Sequence, residues 1–156
     1  MIDLLRILVG EWQGEGFEEY PTIVSFESLE TLRYTLDDER PLLHYVQNTR
    51  RFKKEVGDYV PSHCETGFLH WLGDNKVEIA NAQLGGRVEV MEGTIEATAN
   101  GLVMQLRSVD FANDSRMAEA TRTFTLEGDT LHYRMAMQTT KVPDLTLHVE
   151  ATLHRK

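Results

Sequence analysis

The feature that most constrains this chain is a side-chain period of two. In Thr130-Leu131-His132-Tyr133-Arg134-Met135-Ala136-Met137, residues 131, 133, 135 and 137 are apolar, and polar or small residues fall between them. Only a strand sends alternate side chains to opposite faces, so this run reads as a strand with one buried face. Similar alternation occurs at Val88-Glu89-Val90-Met91, Val103-Met104-Gln105-Leu106 and Ala151-Thr152-Leu153. Turn signals separate the runs, at Gly57-Asp58, Gly73-Asp74-Asn75, Asn100-Gly101 and Gly128-Asp129.

Counting runs between turns gives about ten short strands, the rhythm of an all-β sandwich or barrel. Helical periodicity is confined to the start. Asp3 is placed to cap one or two turns reaching Leu8, with Leu4, Leu5 and Leu8 on one face and Gly10 ending the helix. Crossover helices are therefore lacking, and a parallel sheet with them. Ten antiparallel strands with short connections favour an up-and-down barrel, which leaves no exposed edge and encloses room for a small ligand. With 156 residues, the chain reads as one domain spanning 1–156.

Charge and composition narrow the function classes. A net charge of −9 argues against nucleic acid and anionic membrane surfaces, both of which attract clustered Lys and Arg. The single cysteine, Cys64, excludes an intrachain disulfide and a multi-thiolate zinc site, and fits a reducing, cytoplasmic setting. The apolar run at the N-terminus is too short for a signal peptide, and no stretch approaches the ~18 apolar residues of a membrane-spanning helix.

Several catalytic patterns fail on context. Gly10-Glu11-Trp12-Gln13-Gly14-Glu15-Gly16 is glycine-rich but enters a strand and has no Lys-Ser/Thr ending, so it is no phosphate loop. Its structural reading is a Trp closing one barrel end, with glycines relaxing a bent first strand. No Gly-x-Ser-x-Gly elbow and no HExxH motif is present. Cys64 adjoins His63, but strand neighbours point to opposite faces. Glu18-Glu19 reads as solvated charge. The six histidines (His44, His63, His70, His132, His148 and His154) remain as possible metal ligands or proton carriers.

Ordered blocks along nearly the whole chain carry a family resemblance. Gly10-x-Trp12-x-Gly14-x-Gly16 and Tyr20-Pro21-Thr22-Ile23 come first. They are followed by Tyr45-Val46-Gln47-Asn48-Thr49, His63-Cys64-Glu65-Thr66-Gly67-Phe68 and Val88-Glu89-Val90-Met91-Glu92-Gly93. Leu126 to Tyr133 and Leu145 to Leu153 complete the set. The chain resembles the nitrobindins, haem-binding β-barrels related to the C-terminal domain of a human THAP protein.

The resemblance implies a barrel of about ten strands, of the lipocalin and fatty-acid-binding-protein type, holding haem b mainly as ferric iron. It maps the axial ligand to His148, a distal histidine to His63 and a haem-contacting threonine to Thr22. It implies binding of nitric oxide and isomerisation of peroxynitrite to nitrate by a monomer or homodimer. Two departures stand out. Ser62 replaces an apolar residue before the distal histidine, and a lysine near a haem propionate is missing, with Ser115 or Arg116 falling nearby.

The local pattern opposes His148 as a ligand. Leu145, Leu147, Val149, Ala151 and Leu153 form the apolar face, which leaves His148 with Thr146, Glu150 and Thr152 on the other. A ligand role requires a position at a barrel mouth, or a bulge that re-aims the side chain. His63 has a structural alternative as well, a strand histidine satisfied by a neighbouring carboxylate. His44, His70, His132 and His154 read as structural or exposed. The alternative function is a carrier of a fatty acid or another apolar molecule in the same barrel, without catalysis.

Overall fold

The computed structural model describes residues 2–156. A short helix, α1 (Ile2–Arg6), precedes ten strands: β1 (Gly10–Glu18), β2 (Phe26–Leu36), β3 (Leu42–Lys53), β4 (Asp58–Gly73), β5 (Lys76–Gln83), β6 (Val88–Ala97), β7 (Gly101–Ala112), β8 (Met117–Glu127), β9 (Thr130–Thr139) and β10 (Thr146–Arg155). Each strand pairs antiparallel with its neighbours in sequence. β1 also pairs with β10, which closes the barrel. The expected turn dipeptides all fall at strand junctions.

The helix begins earlier than the pattern indicates. Asp3 lies inside the first turn and pairs with Arg6 at 3.6 Å instead of capping. Gly10 does not end α1 either. It opens β1 with φ of +129°, a conformation that β-carbon-bearing residues rarely adopt.

α1 plugs one end of the barrel. Leu5 and Leu8 are fully buried, and Trp12 beside them donates its indole N–H to the Leu8 carbonyl at 2.9 Å. The Arg155 guanidinium lies 4.2 Å from the centroid of the Trp12 ring and donates to the carbonyls of Ile7 and Val9. Gly14 is required by close approach, because a β-carbon there would sit 1.9 Å from the Thr152 carbonyl oxygen of β10.

Inward residues follow the period of two, and β9 buries Leu131, Tyr133 and Met135 as its alternation implies. β6 runs against its apparent pattern. Glu89 and Met91 face inward, and Val88 is exposed. Bulges interrupt the register at Ser62, Val109, Ala118 and His148 toward the end opposite α1, and at Leu72 toward the α1 end. Such irregularities re-aim side chains at barrel rims. Among the described residues, no helix is long and apolar enough to cross a membrane.

Candidate functional site

The end opposite α1 opens into a cavity of about 290 Å³. Along strand after strand, the inward positions change from apolar to polar as they approach it. β3 passes from Leu43 and Tyr45 to Gln47 and Thr49, and β4 from Leu69 to Glu65 and His63. β5 passes from Val77 and Ile79 to Asn81 and Gln83, and β8 from Leu126 and Phe124 to Arg122. A second cavity, of about 430 Å³, adjoins the first and shares Ile23, Arg87 and His148 with it.

His148 is the extra residue of the β10 bulge. Leu147 pairs with Ala136 and Val149 with Met135, so His148 has no partner on β9. The bulge breaks the alternation that would have sent the ring to solvent and turns it into the wall of both cavities. Two backbone contacts clamp it to the end of β1: Glu19 N–H donates to the His148 carbonyl at 2.9 Å, and His148 Nδ1 lies 3.0 Å from the Glu19 carbonyl oxygen. A carbonyl only accepts, so Nδ1 carries the hydrogen and Nε2 keeps its lone pair. Burial lowers the proton affinity of the ring and so favours the neutral form, and the Glu19 bond acts in the opposite direction without outweighing it. The Tyr20 ring meets His148 edge-on at 5.4 Å, and its hydroxyl donates to the Met137 carbonyl.

His63 and Ser62 both line the first cavity, because the β4 bulge falls at Ser62. Cys64 is absent from that lining, as strand alternation requires. Thr22 lines the second cavity with Tyr20, Arg116 and His148. Thr22, His63 and His148 therefore gather at one end of the barrel. Gly10, Trp12, Gly14 and Gly16 belong to β1, with Gly10 and Trp12 at the plugged end, where they serve the fold. His44, His132 and His154 contact threonine hydroxyls on the outer surface, and His70 lies 3.7 Å from Glu78.

The sequence reading missed the carboxylates. Glu18 is buried and lines the cavity; only Glu19 of that pair is solvated. Burial, followed by the nearby Glu30, raises the Glu18 carboxyl from 4.5 to about 7, with His63 acting in the opposite direction. Burial also raises Glu30, although Thr49 at 2.7 Å and Ser28 at 3.1 Å both donate to it. Arg122 is fully buried and donates to Glu65 at 2.6 and 3.1 Å and to Glu89 at 2.8 Å. Arg87 was also missed. It donates to Gln83 and pairs with Asp114, which holds Arg116 as well. The signal available was the alternation itself, since Glu30, Glu65, Glu89 and Arg122 share a face with apolar residues further along their strands.

Comparison with known proteins bears on this geometry. Residues 1–155 match the family described as a THAP4-like, heme-binding beta-barrel domain. The chain belongs to this family. Peroxynitrite isomerase 2 of Mycobacterium ulcerans is 35% identical over 158 residues, covering 99% of this chain and 94% of that protein. A protein of Arabidopsis thaliana named peroxynitrite isomerase Rv2717c is 36% identical over 151 residues, covering 97% and 86%. The crystal structure of Rv2717c from M. tuberculosis superposes with a TM-score of 0.90 at 30% identity, covering 99% of this chain and 96% of that one. The S-type phycobiliprotein lyase of Guillardia theta shares the fold alone, with a TM-score of 0.66 at 11% identity.

The site fits the family's cofactor. An iron porphyrin needs a neutral imidazole with a free ring nitrogen, and His148 is held in that state. Its ring also needs apolar surface, here Ile23, Phe26, Met135 and Val149. Its propionates need cations at the rim, and Arg87 and Arg116 stand in the wall of the second cavity.

Proposed function

We propose that this protein holds haem b through His148 Nε2 and isomerises peroxynitrite to nitrate. The observation that carries the reading is the His148 bulge. A side chain that alternation would expose is turned into the cavity and fixed, by both backbone groups of Glu19, in the tautomer that leaves Nε2 free. The names of the relatives at 33–36% identity support the reaction.

When bound, the haem supplies the iron centre at which the oxygen–oxygen bond of peroxynitrite rearranges. The chain's own residues hold and orient. Tyr20 and the Glu19 carbonyl fix the plane of the His148 ring. Arg87 and Arg116 offer charge to carboxylates at the mouth, each held by Asp114. His63 and Ser62 place polar atoms on the first cavity's wall, and Thr22 adds a hydroxyl on the second. Isomerisation conserves atoms and electrons, so the reaction calls for no reductant and no general base. Nitric oxide is a second ligand of the same cavity in this reading.

The alternative of an apolar carrier meets the polar lining. A fatty-acid chain in the first cavity would lie against Glu18, Glu30 and Glu65, displacing solvent from polar groups without replacing its hydrogen bonds. The test is peroxynitrite decay by stopped flow with nitrate yield measured at the end. Haem-loaded protein should accelerate decay and raise the nitrate fraction, and His148→Ala should remove both effects. Equal rates with and without the haem-loaded protein would overturn the enzymatic reading.

A further inference from the structure

The two histidines of the first cavity are held in opposite senses. His148 faces a carbonyl through Nδ1, whereas His63 faces a carboxylate through Nε2, which lies 3.5 Å from Glu65 Oε2. Glu65 is buried and is the hub of a cross-barrel network. Tyr45 on β3 donates to it at 2.8 Å, and Arg122 on β8 donates through both terminal nitrogens. Arg122 is anchored in turn to Glu89 on β6, which also accepts from Asn81 on β5.

Burial alone would raise the Glu65 carboxyl. The Arg122 charge and the bonds from its neighbours outweigh burial and hold Glu65 well below the usual carboxylate range. An ionised carboxylate can only accept. The Nε2 edge of His63 faces this acceptor at 3.5 Å, an approach that favours the hydrogen on Nε2 and the lone pair on Nδ1.

We propose that Glu65 is the positioning residue for His63: it fixes the Nε2–H tautomer and so makes Nδ1 the atom that meets a ligand in the cavity. The proposal rests on the reading above, in which His63 lies on the ligand's side. It has a chemical consequence. Neutral His63 offers an anion only a lone pair. Protonated His63 offers Nδ1–H and a positive charge, which the Glu65 carboxylate stabilises. An anionic ligand is therefore held better by the protonated ring than by the neutral one. The titratable groups that share the cavity wall with His63 are Glu18 on β1, Glu30 on β2 and His148 on β10. Thr49 is the cross-strand neighbour of His63 on β3, and Arg122 stands behind Glu65.

The test begins without haem. In apo-protein labelled with ¹⁵N-histidine, the imidazole nitrogen shifts above the titration midpoint report each tautomer. His63 should be Nε2–H and His148 Nδ1–H. A His63 found as Nδ1–H, or averaged between the two forms, overturns the proposal. In Glu65→Gln, His63 should lose its tautomer preference, and its two ring nitrogens should average between the forms. Unchanged values in a folded variant overturn it as well. Should that variant not fold, the wild-type tautomer decides. In haem-loaded protein, azide affinity should rise as pH falls, and His63→Gln should flatten that dependence. A dependence unchanged in His63→Gln overturns the proton coupling. Failure to bind haemin would instead count against the haem reading, and the apo-protein tautomers distinguish the two failures.

Discussion

The two ends of the barrel are built on one strand register but from different chemistry. At the α1 end, inward positions are filled by Leu5, Leu8, Trp12, Leu43, Leu69 and Leu102, all close to fully buried. At the other end, the same inward rows carry Glu18, Glu30, Glu65, Glu89 and Arg122, four carboxylates against one guanidinium. The first end stabilises the fold by removing apolar area from water. The second gives up part of that gain, since buried ions lose hydration that partners only partly restore. The contrast shows where the chain departs from an ideal barrel core. The departure coincides with four of the five bulges, at Ser62, Val109, Ala118 and His148; the fifth, at Leu72, lies toward the apolar end.

The largest effect should come from breaking the polar end at its centre. Arg122→Ala leaves Glu65 and Glu89 buried without their cation, and should cost roughly 3–5 kcal/mol in urea unfolding. At the apolar end, Trp12→Ala empties the contact between α1 and the barrel. It should cost about 3 kcal/mol in the same assay, with haemin stoichiometry unchanged. Loss of haemin binding by a folded Trp12→Ala protein would contradict this division of labour between the ends.

Glu18 separates the ends by pH. Its folded carboxyl titrates near 7, above the ordinary 4.5, so between those values the folded state binds more protons than the unfolded state. Stability contributed by Glu18 is then present below about 4.5 and is lost as pH rises through about 7, by roughly 3 kcal/mol at most. His148, shifted downward, acts oppositely, and its contribution is lost as pH falls. The difference in Tm between apo wild type and Glu18→Gln isolates the Glu18 part. The variant should gain on the wild type from pH 5 to pH 8, and a constant difference would contradict the assignment. Tyr20→Phe should have the smallest effect. It removes the 3.0 Å bond to Met137 but keeps the ring against His148, costing about 1 kcal/mol and leaving haemin affinity nearly intact.

Much of the apolar end was legible in the sequence. Leu131, Tyr133 and Met135 declare β9 by period alone, and the glycine dipeptides mark the hairpins. The polar end was not, because a charged residue in an alternating strand reads as outward. Glu89 between Val88 and Val90 gave the wrong face for that reason. Glu18 was hidden in an acidic pair, although alternation from Trp12 places it inward. His148 is a third kind of case. One unpaired residue shifts the register, and nothing in Thr146-Leu147-His148-Val149 marks which residue it is. Motif resemblance singled out His148, and the bulge falls at that residue.

The most direct measurement is a haemin titration of the apo-protein followed at the Soret band, with His148→Ala alongside. The account predicts saturation at one equivalent for the wild type and no saturating change for the folded variant at the same concentrations. Absence of specific binding by the wild type, or equal binding by His148→Ala, would contradict it.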